Sequence, residues 1–176
     1  VVAMDREGRV VAAADNAVPL HTPRPGWTEQ DPSDWVAAAE AGLREVAARV
    51  GADRVAGIGL SGQMHGMVAT DAAGRVVRPA LLWNDQRTAA EAAEIEAAVG
   101  RERLVERTGN PAVTGFQLPK VLWLRRHEPD AFARTKRVAL PKDHVATCLT
   151  GEHAAEPSDA SGTGAYDLAA RTWDEE

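Results

Sequence analysis

The chain has 176 residues, of which 44% are hydrophobic and 26% charged, and this balance predicts a globular domain with a substantial core. Its net charge of −6 leaves no basic surface for nucleic acid, and no apolar run is long enough to span a bilayer. Neither nucleic acid nor a membrane is therefore an expected partner. The single cysteine, Cys148, cannot form an internal disulfide, which predicts a reducing, cytoplasmic environment.

The first fifty residues predict a hairpin followed by a helix. Two β-prone runs, residues 1–4 and 9–14, flank a charged turn that contains Gly8. Asp31 then precedes Pro32, which is the order expected of an N-cap and a first helical position. Apolar side chains recur from there at helical spacing, and Gly51 is predicted to end the helix.

The rest of the chain alternates between the two kinds of element. Helices are predicted over residues 88–99, 101–107, 118–126, 128–132 and 141–150, and strands over residues 67–70, 75–77, 80–83, 137–140, 152–155 and 163–168. Alternation of this kind predicts an α/β fold with a mixed sheet and flanking helices.

One stretch, residues 55–66, stands out. Residues 55–60 form a short apolar run that predicts a buried strand, and the sequence Ser-Gly-Gln-Met-His-Gly follows it at residues 61–66. Two glycines let the backbone approach a ligand there, while Gln63, Met64 and His65 supply an amide, a thioether and an imidazole. The stretch predicts either a small-molecule site or a tight turn in which His65 bonds to nearby backbone.

The glycines of this stretch also fit the Gly-x-Gly-x-x-Gly pattern of dinucleotide-binding proteins. That pattern requires a helix to begin at the third glycine, Gly62, so that the helix N-terminus meets the pyrophosphate. Here the sequence after Gly62 predicts a strand, a turn and a second strand. A nicotinamide site is therefore rejected.

Few other residues suggest chemistry. No pair of the five histidines has metal-binding spacing with a third ligand, so a zinc site is not expected. Asn84 and Asp85 follow a predicted strand and form a second candidate for a ligand site, because ligands bind beyond the carboxyl ends of strands in open α/β sheets. The favoured alternative for Asp85 is structural: it caps the helix that begins near Thr88 or pairs with Arg87. Trp83 is predicted to lie in the core.

Several segments together resemble successive landmarks of the FGGY carbohydrate kinases, in the right order along the whole chain. The landmarks are Trp-Thr-Glu-Gln-Asp-Pro at residues 27–32, Gly-Leu-Ser-Gly-Gln-Met-His-Gly at 59–66, Leu-Trp-Asn-Asp-Gln-Arg at 82–87, Leu-Pro-Lys-Asp at 140–143 and Ser-Asp-Ala-Ser-Gly-Thr at 158–163. The Gln-Met-His-Gly form is similar to that of the xylulokinase branch.

The resemblance implies a ribonuclease H-like (actin-like ATPase) fold, of which residues 1–176 form part of the N-terminal, sugar-binding domain. It implies that Met64 and His65 contact the sugar, with Gln63 beside them, and that the whole protein transfers a phosphoryl group from ATP, with Mg²⁺, to D-xylulose to give D-xylulose 5-phosphate. A homodimer is compatible with this membership.

Parts of the family pattern are expected to lie outside residues 1–176. They are the first strand with its phosphate loop, the general base, the rest of the first domain and the ATP domain. The chain alone is therefore expected to be inactive, and no aspartate within it is assigned as the base. Two alternatives stay open: a kinase of this family for another sugar or polyol, and a non-catalytic, truncated sugar-binding domain.

Overall fold

The computed structural model describes residues 1–174, which form helices and small antiparallel sheets. The strands are β1 Val2–Met4, β2 Val10–Ala13, β3 Glu29–Gln30, β4 Val68–Thr70, β5 Ala80–Leu81, β6 Arg137–Ala139, β7 Tyr166–Asp167 and β8 Thr172–Trp173. The α-helices are α1 Pro32–Val50, α2 Ala89–Val99, α3 Arg101–Thr108, α4 Gln117–His127, α5 Pro129–Arg134, α6 Pro141–Thr150 and α7 Pro157–Ala160. Short 3₁₀ turns occupy Ala52–Arg54 and Ser161–Thr163.

Helix α1 forms where the sequence predicts it. The Asp31 side chain accepts a hydrogen bond from the backbone N–H of Ser33, Pro32 occupies the first turn, and the helix ends at Gly51 with φ +87°. Asp31 satisfies one backbone donor that the start of the helix would leave unpaired, and Pro32 has no such donor. Gly51 adopts a positive φ, which glycine accommodates more readily than other residues. The predicted hairpin of β1 and β2 is confirmed as well.

The sheet prediction is corrected. Within residues 1–174 every strand pair is antiparallel: β1 with β2, β3 with β5, β4 with β6, and β7 with β8. An antiparallel bridge between Met67 and Leu81 joins the β3–β5 pair to the β4–β6 pair. The order β3–β5–β4–β6 is therefore an antiparallel arrangement and not the predicted mixed sheet.

The predicted strand over residues 55–60 is wrong in the structure. No described strand pairs with this segment, and its side chains are exposed, with Ile58 61% accessible. A buried strand requires ladder partners on its edges and cover on its faces, and apolar composition alone supplies neither. This segment leads directly into the loop at residues 61–66.

The main core lies between the antiparallel strands and helices α4 and α5. Its buried members are Met67, Ala69, Leu81, Trp123, Leu124 and Ala131. Met67 and Leu81 sit immediately beside the loops at residues 61–66 and 82–87, so the core fixes the base of both loops. Among the described residues, no helix combines the length and the apolar character needed to cross a membrane.

Candidate functional site

The loop at residues 61–66 is held close to the start of α6. A Cβ on Gly66 would overlap the Pro141 ring, and a Cβ on Gly62 would lie 3.1 Å from the Cβ of Lys142. The backbone of the loop therefore approaches α6 more closely than most side chains at these positions would allow. No helix begins at Gly62, so the structural context that the dinucleotide pattern requires is not formed there.

His65 occupies the turn of this loop in a left-handed conformation, with φ +61°. The N–H of Gly66 donates to the carbonyl of Met64 at 2.7 Å, which closes a three-residue turn around His65. A non-glycine residue with positive φ is uncommon, and such strain concentrates at ligand-binding sites when surrounding contacts stabilise it.

The His65 ring is held by two groups from distant parts of the chain. Its Nδ1 lies 2.9 Å from the carbonyl oxygen of Gly162, and its ring centroid lies 4.5 Å from that of Phe116. A Cβ on Gly162 would overlap the imidazole, so only glycine leaves room for the ring. His65 therefore bonds to backbone, but the partner is 97 residues away in sequence and not the nearby backbone of the tight-turn alternative.

The contact with Gly162 defines the tautomer of the neutral His65 ring. A carbonyl oxygen can only accept, so Nδ1 carries the hydrogen and Nε2 carries the lone pair of the neutral ring. Burial lowers the pKa of His65 below its ordinary value of 6.5; the hydrogen bond to Gly162 opposes this, the charge of Lys120 reinforces it, and the charge of Asp159 opposes it. Within residues 1–174, Nε2 has no hydrogen-bond partner.

The other two predicted site residues directly precede His65 and differ in environment. Met64 is 47% exposed, so its thioether is available to an incoming molecule. Gln63 is half-buried, and its Nε2 donates to Oε1 of Gln30 at 2.9 Å. The same oxygen of Gln30 accepts from Nε1 of Trp35 at 3.0 Å, which ties the loop to the start of α1.

Two supports of the loop come from α4, and sequence reasoning missed both. Lys120 is fully buried, and its Nζ donates to the carbonyl oxygen of His65 at 3.3 Å. Gln117 Nε2 donates to the carbonyl oxygen of Gly66 at 3.0 Å. The only available signal was a lone lysine within the apolar run at residues 118–124, which is the type of position where a buried lysine occurs.

The landmark at residues 82–87 mainly holds neighbouring segments of the fold together. Asp85 is fully buried, accepts from the backbone N–H of Thr28 at 2.7 Å, and pairs with Nη2 of Arg87 at 2.8 Å. The ion-pair alternative for Asp85 is confirmed, whereas the N-cap residue of α2 is Thr88, which makes no side-chain capping hydrogen bond. Trp83 is 50% exposed, so its prediction as a core residue is wrong.

Arg87 extends this connection into the aromatic core. Its guanidinium carbon lies 3.8 Å from the Trp27 ring centroid and 5.0 Å from that of Trp123. Nη1 lies 2.8 Å from Oε1 of Glu29, at an angle that makes the contact an ion pair without a hydrogen bond. The charge is thus buried among rings and carboxylates, which fixes the segment between the sheet and α2.

A charged group lies under the other side of the loop, at the start of α6. Lys142 Nζ pairs with the Asp143 carboxylate, and lies 3.6 Å from Oδ2 of Asp159 and 3.9 Å from Oε1 of Glu156. Burial raises the pKa of Asp159, and the nearby Lys142 opposes that shift. Within the described residues no group of three or more His, Cys, Asp and Glu side chains could hold a metal ion.

Comparison with known proteins agrees with these landmarks. The model of the N-terminal domain of the FGGY family of carbohydrate kinases matches residues 1–176. The xylulose kinase of Escherichia coli is 42% identical over 173 residues, which is 98% of this chain and 35% of that protein. The chain therefore spans about a third of the length of the curated relatives it matches.

Solved structures give the same result. The crystal structure of a xyloylose kinase from Brucella ovis superposes with a TM-score of 0.91 at 42% identity, covering 97% of this chain and 36% of that one. A gluconate kinase from Lactobacillus acidophilus superposes with a TM-score of 0.92 at 23% identity, covering 99% of this chain and 35% of that one, which shows a shared fold only. The match over all 176 residues, together with the order of the landmarks, shows that this chain belongs to the FGGY family of carbohydrate kinases and corresponds to its N-terminal domain.

Proposed function

We propose that this chain is part of the sugar-binding domain of an ATP-dependent kinase that converts D-xylulose into D-xylulose 5-phosphate. In this proposal Gln63, Met64 and His65 contact the sugar. Similarity supports the substrate assignment, because relatives named xylulose kinase are about 40% identical to nearly the whole chain.

One observation carries the site assignment: the neutral, half-buried imidazole of His65 has a free acceptor at Nε2. Its other nitrogen is committed to Gly162, so the ring cannot rotate to hide that acceptor without losing the bond at 2.9 Å. A sugar hydroxyl can donate to such a lone pair. The exposed Met64 offers an apolar contact for the carbon skeleton, and Gln63, whose amino group is held by Gln30, offers its amide oxygen.

The reaction is a phosphoryl transfer. The 5-hydroxyl oxygen of the sugar forms a bond to the γ-phosphorus of ATP, the bond from that phosphorus to the bridging oxygen breaks, and the hydroxyl proton passes to a base. The described residues contribute the positioning of the sugar and not the base. In this proposal ATP and Mg²⁺ bind mainly through other parts of the protein.

The proposal includes the ribonuclease H-like class for the complete domain and a cytoplasmic location. The antiparallel strands beside α4 and α5 would then be one part of a larger sheet. A cytoplasmic location fits an enzyme whose donor is ATP, and the lone, unpaired Cys148 is compatible with a reducing compartment.

The direct test is His65→Ala in the full-length protein, with His153→Ala as a matched control because His153 is exposed. Loss of one buried hydrogen bond is expected to lower kcat/KM for D-xylulose by about tenfold to a hundredfold, while the KM for ATP stays unchanged. An unchanged kcat/KM in folded His65→Ala would remove His65 from the site. Turnover of another sugar or polyol, with no turnover of xylulose, would overturn the substrate assignment. Sugar binding without any turnover by the full-length protein would overturn the proposal that it is an enzyme.

A further inference from the structure

Lys120 is a fully buried charged side chain beside the proposed sugar site. It lies on α4, is 0% exposed, and points its Nζ at four backbone carbonyl oxygens. Three of these belong to residues 114–116, which precede the helix: Thr114 at 3.3 Å, Phe116 at 3.0 Å, and Gly115 at close range. The fourth is the carbonyl of His65 at 3.3 Å.

This arrangement joins two segments that are far apart in sequence. The His65 carbonyl belongs to the strained turn, and the Phe116 carbonyl belongs to the residue whose ring packs on the His65 imidazole. Lys120 therefore contacts the backbone of His65 and also the loop that carries the ring's packing partner. Gln117, three residues earlier on the same face of α4, holds the next carbonyl along the loop, that of Gly66.

Stability alone gives a poor reason for a lysine at this position. Removing an ammonium from water is costly, and a cation near a helix N-terminus is disfavoured by the helix dipole. Burial lowers the pKa of Lys120 to about 7; the Asp85 carboxylate raises it and the Arg87 guanidinium lowers it. An apolar side chain would avoid these costs, but it could donate no hydrogen bond to these carbonyl oxygens, among which the three N–H groups of a lysine ammonium are shared.

We infer that Lys120 is a positioning residue for the sugar site: its ammonium clamps the His65 turn to the 114–116 loop and so keeps Nε2 of His65 in place for a substrate hydroxyl. This inference rests on the proposed function. Lys120 makes no contact with substrate in this assignment; it acts through His65.

The test is Lys120→Met in the full-length enzyme, with Arg125→Met, on the exposed face of the same helix, as the matched control. Lys120→Met is expected to lower kcat/KM for D-xylulose by about tenfold or more, mainly through KM, while the KM for ATP is unchanged. In a His65→Ala background the same substitution should cost less than about twofold, because the group it positions is already gone. Additive losses, or an unchanged kcat/KM in the single variant, would overturn the inference.

Hydrogen exchange of the unmodified protein provides a second measurement if Lys120→Met does not fold. The clamp predicts that residues 62–67 and 114–120 open as one unit and gain protection together when D-xylulose binds. Protection of residues 62–67 with no change at residues 114–120 would contradict the clamp. If D-xylulose changes the exchange of no segment, the proposed function fails. If the two segments exchange at different rates in the unliganded protein, only the positioning role of Lys120 is contradicted.

Discussion

Gly162 supports His65 in two ways: its carbonyl accepts the Nδ1 hydrogen at 2.9 Å, and its missing side chain leaves the space that the imidazole fills. The two residues belong to different landmarks of the sequence. The landmark at residues 59–66 therefore supplies the imidazole that is proposed to bind the sugar, and the landmark at residues 158–163 fixes the tautomer and the position of that imidazole.

Gly162→Ala is expected to displace the His65 ring, because the new methyl group would overlap it and the ring cannot move without losing the Gly162 bond. The kcat/KM for D-xylulose should fall by about tenfold or more. Gly164→Ala is the control: Gly164 has φ +79° and does not contact His65, so this change should lower the melting temperature and leave the sugar KM unchanged. Equal effects on KM in both variants would contradict the displacement.

Acidification is expected to weaken sugar binding through His65. Burial depresses the pKa of His65 below 6.5, so the ring is neutral at pH 7 and gains a proton at Nε2 only as the pH falls through that lowered value. The stability that the neutral ring contributes is fully present above pH 6.5 and is lost as pH falls through the folded-state pKa. The KM for D-xylulose, measured from pH 5 to 8, should rise on the acid side, and His65→Ala should lack that rise.

Gln30 is expected to matter for the sugar because it holds Gln63. Its Oε1 accepts from both Gln63 and Trp35. Gln30→Leu removes this acceptor and should raise the KM for D-xylulose by about threefold to tenfold, the effect of freeing one ordered side chain. Gln30→Glu keeps an acceptor and should raise it less. If the two variants behave alike, the Gln30 acceptor does not control Gln63.

The buried pair of Asp85 and Arg87 is expected to control stability and not sugar specificity. Asp85→Ala leaves the Arg87 charge with a single carboxylate partner, Glu29, and removes the acceptor of the Thr28 N–H. The free energy of unfolding should fall by about 3–5 kcal/mol in urea denaturation. Glu40→Gln, which breaks an exposed pair with Arg44, should cost less than about 1 kcal/mol. A loss of that small size for Asp85→Ala would show that the buried pair contributes little.

Local signals in the sequence predicted most of the helices. Asp31, Pro32 and Gly51 define α1 from both ends, and Gly100 and Gly151 end α2 and α6 as expected. These residues act within one turn of the helix end, so neighbouring sequence is sufficient to identify them. The two glycines and the polar side chains of residues 61–66 likewise predicted that this segment is a loop.

Contacts between distant segments were not predictable in the same way. The run at residues 55–60 has the composition of a buried strand, but composition does not specify a partner strand, and none of the described strands pairs with it. Trp83 was predicted as core from its residue type and is half exposed. Lys120 was missed because its partners are backbone carbonyls, one of them 55 residues away, and a carbonyl leaves no trace in the sequence.

The dispersed support of the loop at residues 61–66 limits how the proposed sugar specificity can be engineered. The carbonyl of Gly162, the ammonium of Lys120 and the amide of Gln30 all hold this loop, and each comes from a different region of the chain. Grafting the six loop residues into a kinase for another sugar would transfer the side chains without the groups that set their geometry. If the loop contacts the sugar as proposed, an exchange of specificity must move these supporting groups together with the loop.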